Sequence, residues 1–129
     1  MSFNEEHAIE TYKSLISIST EALKALQLLN GGGVVALLAY LGQHPKLALS
    51  ARCALGLFVL GLVAGTTAFI TSYLTQLALY NESVYREKYK GPRHQIWLWV
   101  TFAIALVSVA SFAFGAFAGV NALAHQAGP

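Results

Sequence analysis

Charged residues are scarce in this chain. Lys, Arg, Asp and Glu make up 11% of its 129 residues and hydrophobic residues make up 56%, whereas an average soluble domain has about 25% charged residues. A soluble core could not hide so much apolar surface, so lipid must cover part of it. We expect a single membrane domain over residues 1–129. The net charge of +2, with no run of basic residues, argues against a nucleic-acid partner.

The residues that commonly build catalytic or metal sites are also few. A single cysteine, Cys53, excludes an internal disulfide and a cysteine-based zinc site. The four histidines, His7, His44, His94 and His125, are scattered, and no two have the i, i+4 spacing of a helical metal site. No carboxylate falls within a predicted span, which argues against a proton-coupled transporter. We therefore expect no enzyme, no cofactor and no metal site.

The first residues predict an amphipathic helix over residues 2–24. Glu5 and Glu6 lie in its first turn, where the helix dipole favours acidic side chains, and such a start is not that of a cleavable signal peptide. The helix either lies on the membrane surface or packs against a partner helix as a water-exposed stalk. Surface helices usually carry Lys and Arg on the polar face. This helix carries four glutamates against two lysines, which favours packing against protein.

Residues 25–44 form the first predicted span, in which Asn30 precedes three glycines, Gly31–Gly33. Glycine within a helix costs about 1 kcal/mol relative to alanine, so we expect a tightly packed neighbour or a bend there. Two roles are open for Asn30. It bonds across subunits or faces ions, or it bonds another helix of its own subunit. The pair His44–Pro45 ends the span.

The second predicted span is the longest. No charged residue occurs between Arg52 and Glu82, and the helix can run from residue 46 to residue 90. That is about 65 Å, roughly twice the thickness of a membrane core, so we expect one end to protrude into the cytoplasm. Helical spacing gives this span a small-residue face and a hydroxyl face. The first contains Gly61, Gly65, Ala68 and Ser72, and the second contains Thr67, Thr71 and Thr75, followed by Gln76.

Residues 95–124 form the third predicted span. Trp97 and Trp99 at its start are typical of the aromatic belt at a membrane interface. A further small-residue face follows, consisting of Ser108, Ser111, Gly115 and Gly119. Small residues let helices approach closely in lipid, and these faces together exceed what three helices need. We therefore expect a homo-oligomer, in which this face or the threonine face contacts another copy. Alternatively, each threonine bonds its own backbone carbonyl four residues back.

The distribution of Lys and Arg predicts the orientation. Six lie on the side of the N-terminal helix and the second loop, and two lie on the other side. The six are Lys13, Lys24, Arg86, Lys88, Lys90 and Arg93, and the two are Lys46 and Arg52. We expect the N-terminus in the cytoplasm and the C-terminus outside. The chain is thus predicted to be an all-α integral membrane protein with an amphipathic helix and three transmembrane helices.

The segment Leu28-Leu29-Asn30-Gly31-Gly32 follows an amphipathic helix with an acidic start. This arrangement resembles small bacterial and prophage multi-span membrane proteins, which implies a bacterial inner membrane and no particular activity. In size and span number the chain also resembles membrane effectors of phage-defence systems and phage holins. Three-span holins usually place the N-terminus outside and end in a charged tail, whereas this chain is predicted to lie the other way and ends in HQAGP.

Two functions fit these features. The favoured one is a homo-oligomer that forms a pore or perturbs the membrane, gated through a cytoplasmic layer of helices where a cytoplasmic protein or ligand acts. Thr67, Thr71 and Thr75 would line its path, with Gln76 at one mouth. The alternative is a non-conducting structural or accessory membrane subunit that scaffolds a partner. Hydroxyls facing a symmetry axis favour the pore, and hydroxyls facing lipid or held within the subunit favour the accessory subunit.

Overall fold

The computed structural model describes residues 3–43, 49–85 and 91–124, apart from the side chains of residues 3–5 and 8. Within those ranges every regular element is an α-helix: α1 is Phe3–Gln43, α2 is Leu49–Val84 and α3 is His94–Ala124. Each helix is long and apolar enough to cross a membrane. The prediction of a helical chain with three helices long and apolar enough to span a membrane is therefore confirmed for the described residues.

Helix α1 joins two segments that were predicted separately. Its 41 residues run without a break through the predicted amphipathic helix, 2–24, and the predicted first span, 25–44. No proline interrupts the sequence between residues 3 and 43, so polarity changes near Lys24 while backbone hydrogen bonding continues. Gly31–Gly33 are helical, and none has a positive φ angle. Whether the first half lies on a membrane surface or against a partner stays a prediction.

Helix α2 is shorter than the predicted range of 46–90. It has 36 residues and ends at Val84, where Tyr85 donates its backbone N–H to the carbonyl of Asn81 at 2.9 Å. Residues 46–48 and 86–90 lie outside the described residues. At 1.5 Å per residue α2 is about 54 Å long, which still exceeds a hydrocarbon core of about 30 Å. Helix α3 begins one residue before its predicted start and ends at the predicted residue.

The three helices pack with alternating directions. Helix α2 runs antiparallel to α1, since Tyr12 contacts Gln76 and Gln27 contacts Thr66. It also runs antiparallel to α3, since Gly61 contacts Ser108. The end of the bundle that contains the start of α1, the end of α2 and the start of α3 is called the N-terminal end below.

Small residues bring α2 and α3 together inside one subunit. Their buried positions include Gly61, Gly65, Ala68, Ser108, Ser111 and Gly115. The two small-residue faces predicted on these helices therefore pack against each other. Surplus small faces were the reason for expecting another copy, and the structure uses both faces within the subunit. Self-association stays a prediction, without that reason to support it.

The Phe58 ring occupies the space that the glycines leave between the three helices. A Cβ atom on Gly33 of α1 would lie 2.7 Å from the ring, and one on Gly115 of α3 would lie 3.2 Å from it. The ring also packs against Phe112, with 5.8 Å between ring centroids. Of the three glycines of α1, Gly33 thus has a tightly packed neighbour, whereas nothing lies within 4 Å of a Cβ atom on Gly32.

At the N-terminal end, Glu82 joins α2 to the first turn of α3. Its carboxylate accepts the backbone N–H of His94 at 2.6 Å, and its second oxygen lies 2.7 Å from Nδ1 of the same residue. The first N–H groups of a helix have no partner within the helix, and an acidic side chain there also complements the helix dipole. Glu82 therefore caps α3 from the neighbouring helix.

Candidate functional site

A polar cluster lies at the point where all three helices meet. Asn30 of α1 donates from Nδ2 to the Ser108 hydroxyl of α3 at 3.2 Å. That hydroxyl donates to the carbonyl of Gly61 on α2 at 2.8 Å. Asn30 and Ser108 are both 0% exposed. Of the two roles open for Asn30, the structure places it between helices of its own subunit.

Gly61 provides the space that Asn30 occupies. A Cβ atom at residue 61 would collide with the Asn30 carboxamide, so this close approach requires glycine. Nδ2 also donates to the carbonyl of Leu26, four residues back along α1, at 3.0 Å. Among the described residues no hydrogen-bond donor reaches Oδ1 of Asn30. The amide nitrogen rather than the oxygen must face Ser108 and Leu26, because the carbonyls there accept hydrogen bonds.

The threonines predicted to line a path do not share one accessible face. Thr71 and Thr75 are 7% and 5% exposed, respectively, while Thr67 lies on the surface. Thr67 donates to the carbonyl of Val63, and Thr75 donates to that of Thr71, both at 2.9 Å. Thr71 donates to its own helix as well, to the carbonyls of residues 67 and 68. This threonine stripe, which consists of Thr67, Thr71 and Thr75, is thus hydrogen-bonded along α2 and is mostly enclosed by the subunit.

A large apolar groove opens at the N-terminal end. It is lined by residues between 12 and 26 of α1, 69 and 76 of α2, and 98 and 105 of α3. We call it the N-terminal groove. Its volume is 870 Å³, which lies within the range of about 300–1,000 Å³ for small-molecule pockets. Ser72, predicted as a packing residue, lines this groove instead of being fully buried.

The hydroxyls on the walls of the groove are already bonded to their own helices. Ser19 donates to the carbonyl of Leu15 at 2.8 Å, and Thr20 donates to that of Ile16 at 2.9 Å. On α3, Thr101 donates to the carbonyl of Trp97 at 2.8 Å. When a hydroxyl donates to a carbonyl of its own helix, the side chain presents its carbon atoms to the groove. An apolar occupant therefore suits the walls better than a polar one.

A polar pair marks the outer part of the groove. The hydroxyl of Tyr12 donates to Oε1 of Gln76 at 2.8 Å and links α1 to α2. Gln76 was predicted to lie at the mouth of a path, and the structure places it instead at the edge of a groove between helices. The sequence reasoning gave Tyr12 no role of this kind. Tyr12 lies three residues after Ile9 and four before Ile16, and this helical spacing of apolar residues is the signal that could have drawn attention to it.

The two tryptophans lie on the α3 side of this end. Trp99 lines the groove and is 62% exposed, and its ring meets Phe102 edge to face at a centroid distance of 6.1 Å. Trp97 is half-buried. Among the described residues no group of three or more His, Cys, Asp or Glu side chains could hold a metal ion. Comparison with protein-family models, curated proteins and solved structures finds no significant match to the chain.

Proposed function

We propose that the protein is a non-conducting accessory subunit that holds a partner protein in a membrane. The observation that carries this proposal is the state of the threonine stripe. Thr71 and Thr75 are buried inside the subunit, and their hydroxyls donate to carbonyls of α2 itself. A water-filled path needs polar groups that face the path. Two of the three hydroxyls that were expected to line a path are therefore buried inside one subunit, which supports the non-conducting role.

The thickness of the hydrocarbon core indicates where the N-terminal end of the bundle lies in a membrane. Arg52 is exposed near the start of α2 and belongs among the lipid headgroups, because a charge in hydrocarbon is costly. A core of about 20 helical residues that begins one turn after Arg52 ends close to Gln76. Trp99 of α3 lines the same groove as Gln76, and a tryptophan near the start of α3 suits an aromatic belt. The N-terminal groove then lies at a membrane boundary.

Further into the membrane core than this boundary, α1 carries an ion pair on its outer surface. Glu21 and Lys24 are 2.8 Å apart and exposed. Lys24 lies one turn from Gln27, which contacts Thr66 in the middle of the charge-free run of α2. Ionisable groups at membrane depth almost always face protein or a water-filled cavity. A partner that covers this side of α1 would shield the pair, which supports the accessory role.

The exposure of α1 supports the same role. In the most apolar 18-residue stretch of α1, only 6% of the residues are buried within the subunit, against 33% in the corresponding stretch of α2. Exposed leucine and valine side chains such as Leu28, Val35 and Leu38 cover its outer face. In a bilayer either lipid or another helix covers such a face. The adjacent ion pair favours another protein helix for the part near Lys24.

Ion flux in proteoliposomes tests the absence of conduction. We expect the wild-type protein to give no flux above that of protein-free vesicles at any protein-to-lipid ratio. If flux is present and the T67V/T71V/T75V variant abolishes it, the pore function is correct and the accessory role is wrong. A T20V variant is the matched control, because Thr20 of α1 lies outside the stripe and bonds its own helix in the same way.

Photo-crosslinking in cells tests the partner. A photoreactive amino acid at Leu28 on α1 should give one discrete crosslinked product. Its mass should not equal twice the mass of this chain. The same group at Phe114, which is exposed on α3, is the control and should give no such product. A product of twice the chain mass at Leu28 would instead indicate self-association. Lipid adducts alone at Leu28 would contradict the proposal.

A further inference from the structure

The N-terminal groove has features of a lipid site that go beyond the accessory role. From Tyr12 to Leu26 its α1 wall is about 21 Å long. By the depth argued above, Phe69 and Ala105 lie on the hydrocarbon side of Gln76, and Tyr12 lies with Gln76 at the boundary. The groove thus runs along the direction in which lipid chains extend, from the headgroup level inward.

We propose that the N-terminal groove binds one acyl chain of a zwitterionic bilayer phospholipid. The chain would lie between α1 and α3, where the hydroxyls of Ser19, Thr20 and Thr101 are turned back to their own carbonyls. The chain comes from the surrounding hydrocarbon, so the favourable contribution is van der Waals packing of its methylenes against the groove walls and not transfer out of water. The ester end of the lipid would lie beside the amide nitrogen of Gln76, whose oxygen already accepts the Tyr12 hydroxyl.

The charges of this end favour a zwitterionic headgroup over an anionic one. Among the described residues of this end that lie outside the membrane core, two are basic and three are acidic, so no positive charge is in excess. The basic ones are Lys13 and Arg93, and the acidic ones are Glu6, Glu10 and Glu82. Anionic lipids are attracted by clusters of uncompensated Lys and Arg. A balanced end has no such attraction and suits phosphatidylethanolamine better than phosphatidylglycerol.

Photolabelling with lipid in nanodiscs tests the site. The probe is phosphatidylethanolamine with a diazirine on one acyl chain, and labelled positions are mapped by mass spectrometry of peptides. We expect labels concentrated on residues 12–26 and 98–105. The A105W variant fills the groove, because Ala105 lines it, and should lower labelling there about tenfold, equivalent to about 1.4 kcal/mol of binding free energy.

The matched control is A103W. Ala103 lies two residues away on the exposed surface of α3 and does not line the groove, so A103W should be labelled as the wild type is. A second pair keeps the test independent of whether A105W folds. Ala22 lines the groove from α1, and Ala25 is exposed outside it. A22W should lose labelling, and A25W should keep it.

Three outcomes would overturn the proposal. Equal labelling of A105W and A103W, in protein with wild-type helicity, would show that the groove holds no lipid chain. Labels spread evenly over the groove and the outer face of α2, including Val59 and Val63, would show ordinary surrounding lipid only. Stronger labelling by phosphatidylglycerol would overturn the zwitterionic assignment. None of these results depends on the ion-flux or crosslinking experiments, so the lipid site and the accessory role can fail separately.

Discussion

Asn30 of α1 and Ser108 of α3 are joined by a hydrogen bond of 3.2 Å that is enclosed on all sides by the three helices. The Ser108 hydroxyl donates a second hydrogen bond to the carbonyl of Gly61 on α2, so these contacts connect all three helices. The two residues are 78 positions apart in the sequence. Asn30 and Leu23 are the two buried side chains of α1 among the described residues, so this cluster is a main contact of α1 with the other helices.

A double-mutant cycle measures this connection. We expect N30A and S108A to destabilise the protein, and the double variant to lose less than the sum of the two. Interhelical hydrogen bonds in membranes are worth about 1 kcal/mol, so the coupling should be about that size. Reversible unfolding in mixed micelles, followed by circular dichroism, gives the unfolding free energies of the wild type and the three variants. Additive effects would mean that the hydrogen bond does not form.

Gly61→Ala should weaken the attachment of α1, because the new methyl group collides with the Asn30 carboxamide. Overpacking of this kind costs about 1–3 kcal/mol. Gly56→Ala is the control on the same helix, since nothing lies within 4 Å of a Cβ atom there, and it should not destabilise the protein. The N30A/G61A variant should recover part of the loss. If G61A and G56A have equal unfolding free energies, the close approach at residue 61 is absent.

Gly33→Ala should disturb the same helix through a different neighbour. Its Cβ atom would lie 2.7 Å from the Phe58 ring, and Phe112 on the other side prevents the ring from moving away freely. We expect a loss of about 1–3 kcal/mol for overpacking. Gly32→Ala, with open space around it, should be neutral. G33A should destabilise the protein less in an F58L background than in the wild type. Thermal unfolding in detergent compares the wild type with the G32A, G33A, F58L and F58L/G33A variants.

Glu82→Ala should loosen the first turn of α3. The carboxylate accepts the backbone N–H of His94, and loss of a helix cap costs about 1 kcal/mol. Hydrogen exchange of residues 94–97 should become about fivefold faster, the factor that matches this energy. Glu82→Gln keeps an acceptor and should have a smaller effect. Glu21→Ala, which removes an exposed pair with Lys24, should leave this exchange unchanged.

Tyr80 should be accessible to water although no charged residue lies between it and Arg52. The boundary near Gln76 leaves Tyr80 about 6 Å outside the hydrocarbon core. In a C53S background, a membrane-impermeant maleimide should modify Y80C from the side of the N-terminus and should not modify V63C. Both side chains are exposed on the surface of α2. Protection of Y80C in the folded protein would place the boundary beyond residue 80.

The sequence predicted the number, type and approximate limits of the spans, because hydropathy and the absence of charge are properties of consecutive residues. It placed α3 within one residue and identified the small residues that bring α2 and α3 together. It did not predict that α1 is continuous from Phe3 to Gln43. A change from charged to apolar composition near Lys24 was interpreted as the start of a new element, whereas only the polarity of the helix changes there.

The sequence also did not predict how the faces pair. Helical spacing shows which residues share a face, but it does not show what that face contacts. Either the small face of α3 or the threonine face of α2 was expected to contact another copy, and the structure packs the small face of α3 against α2. The threonine stripe was expected to lie on one surface, and the structure buries Thr71 and Thr75 while leaving Thr67 exposed.

What the sequence determined by itself is that this chain forms helices long and apolar enough to cross a membrane. Those properties follow from local composition and the 3.6-residue period of a helix. Only the tertiary structure decided that Asn30 fits over Gly61 and that α1 and α3 leave a groove between them. Both depend on side-chain volumes meeting across helices that are far apart in sequence, and no local pattern contains that information.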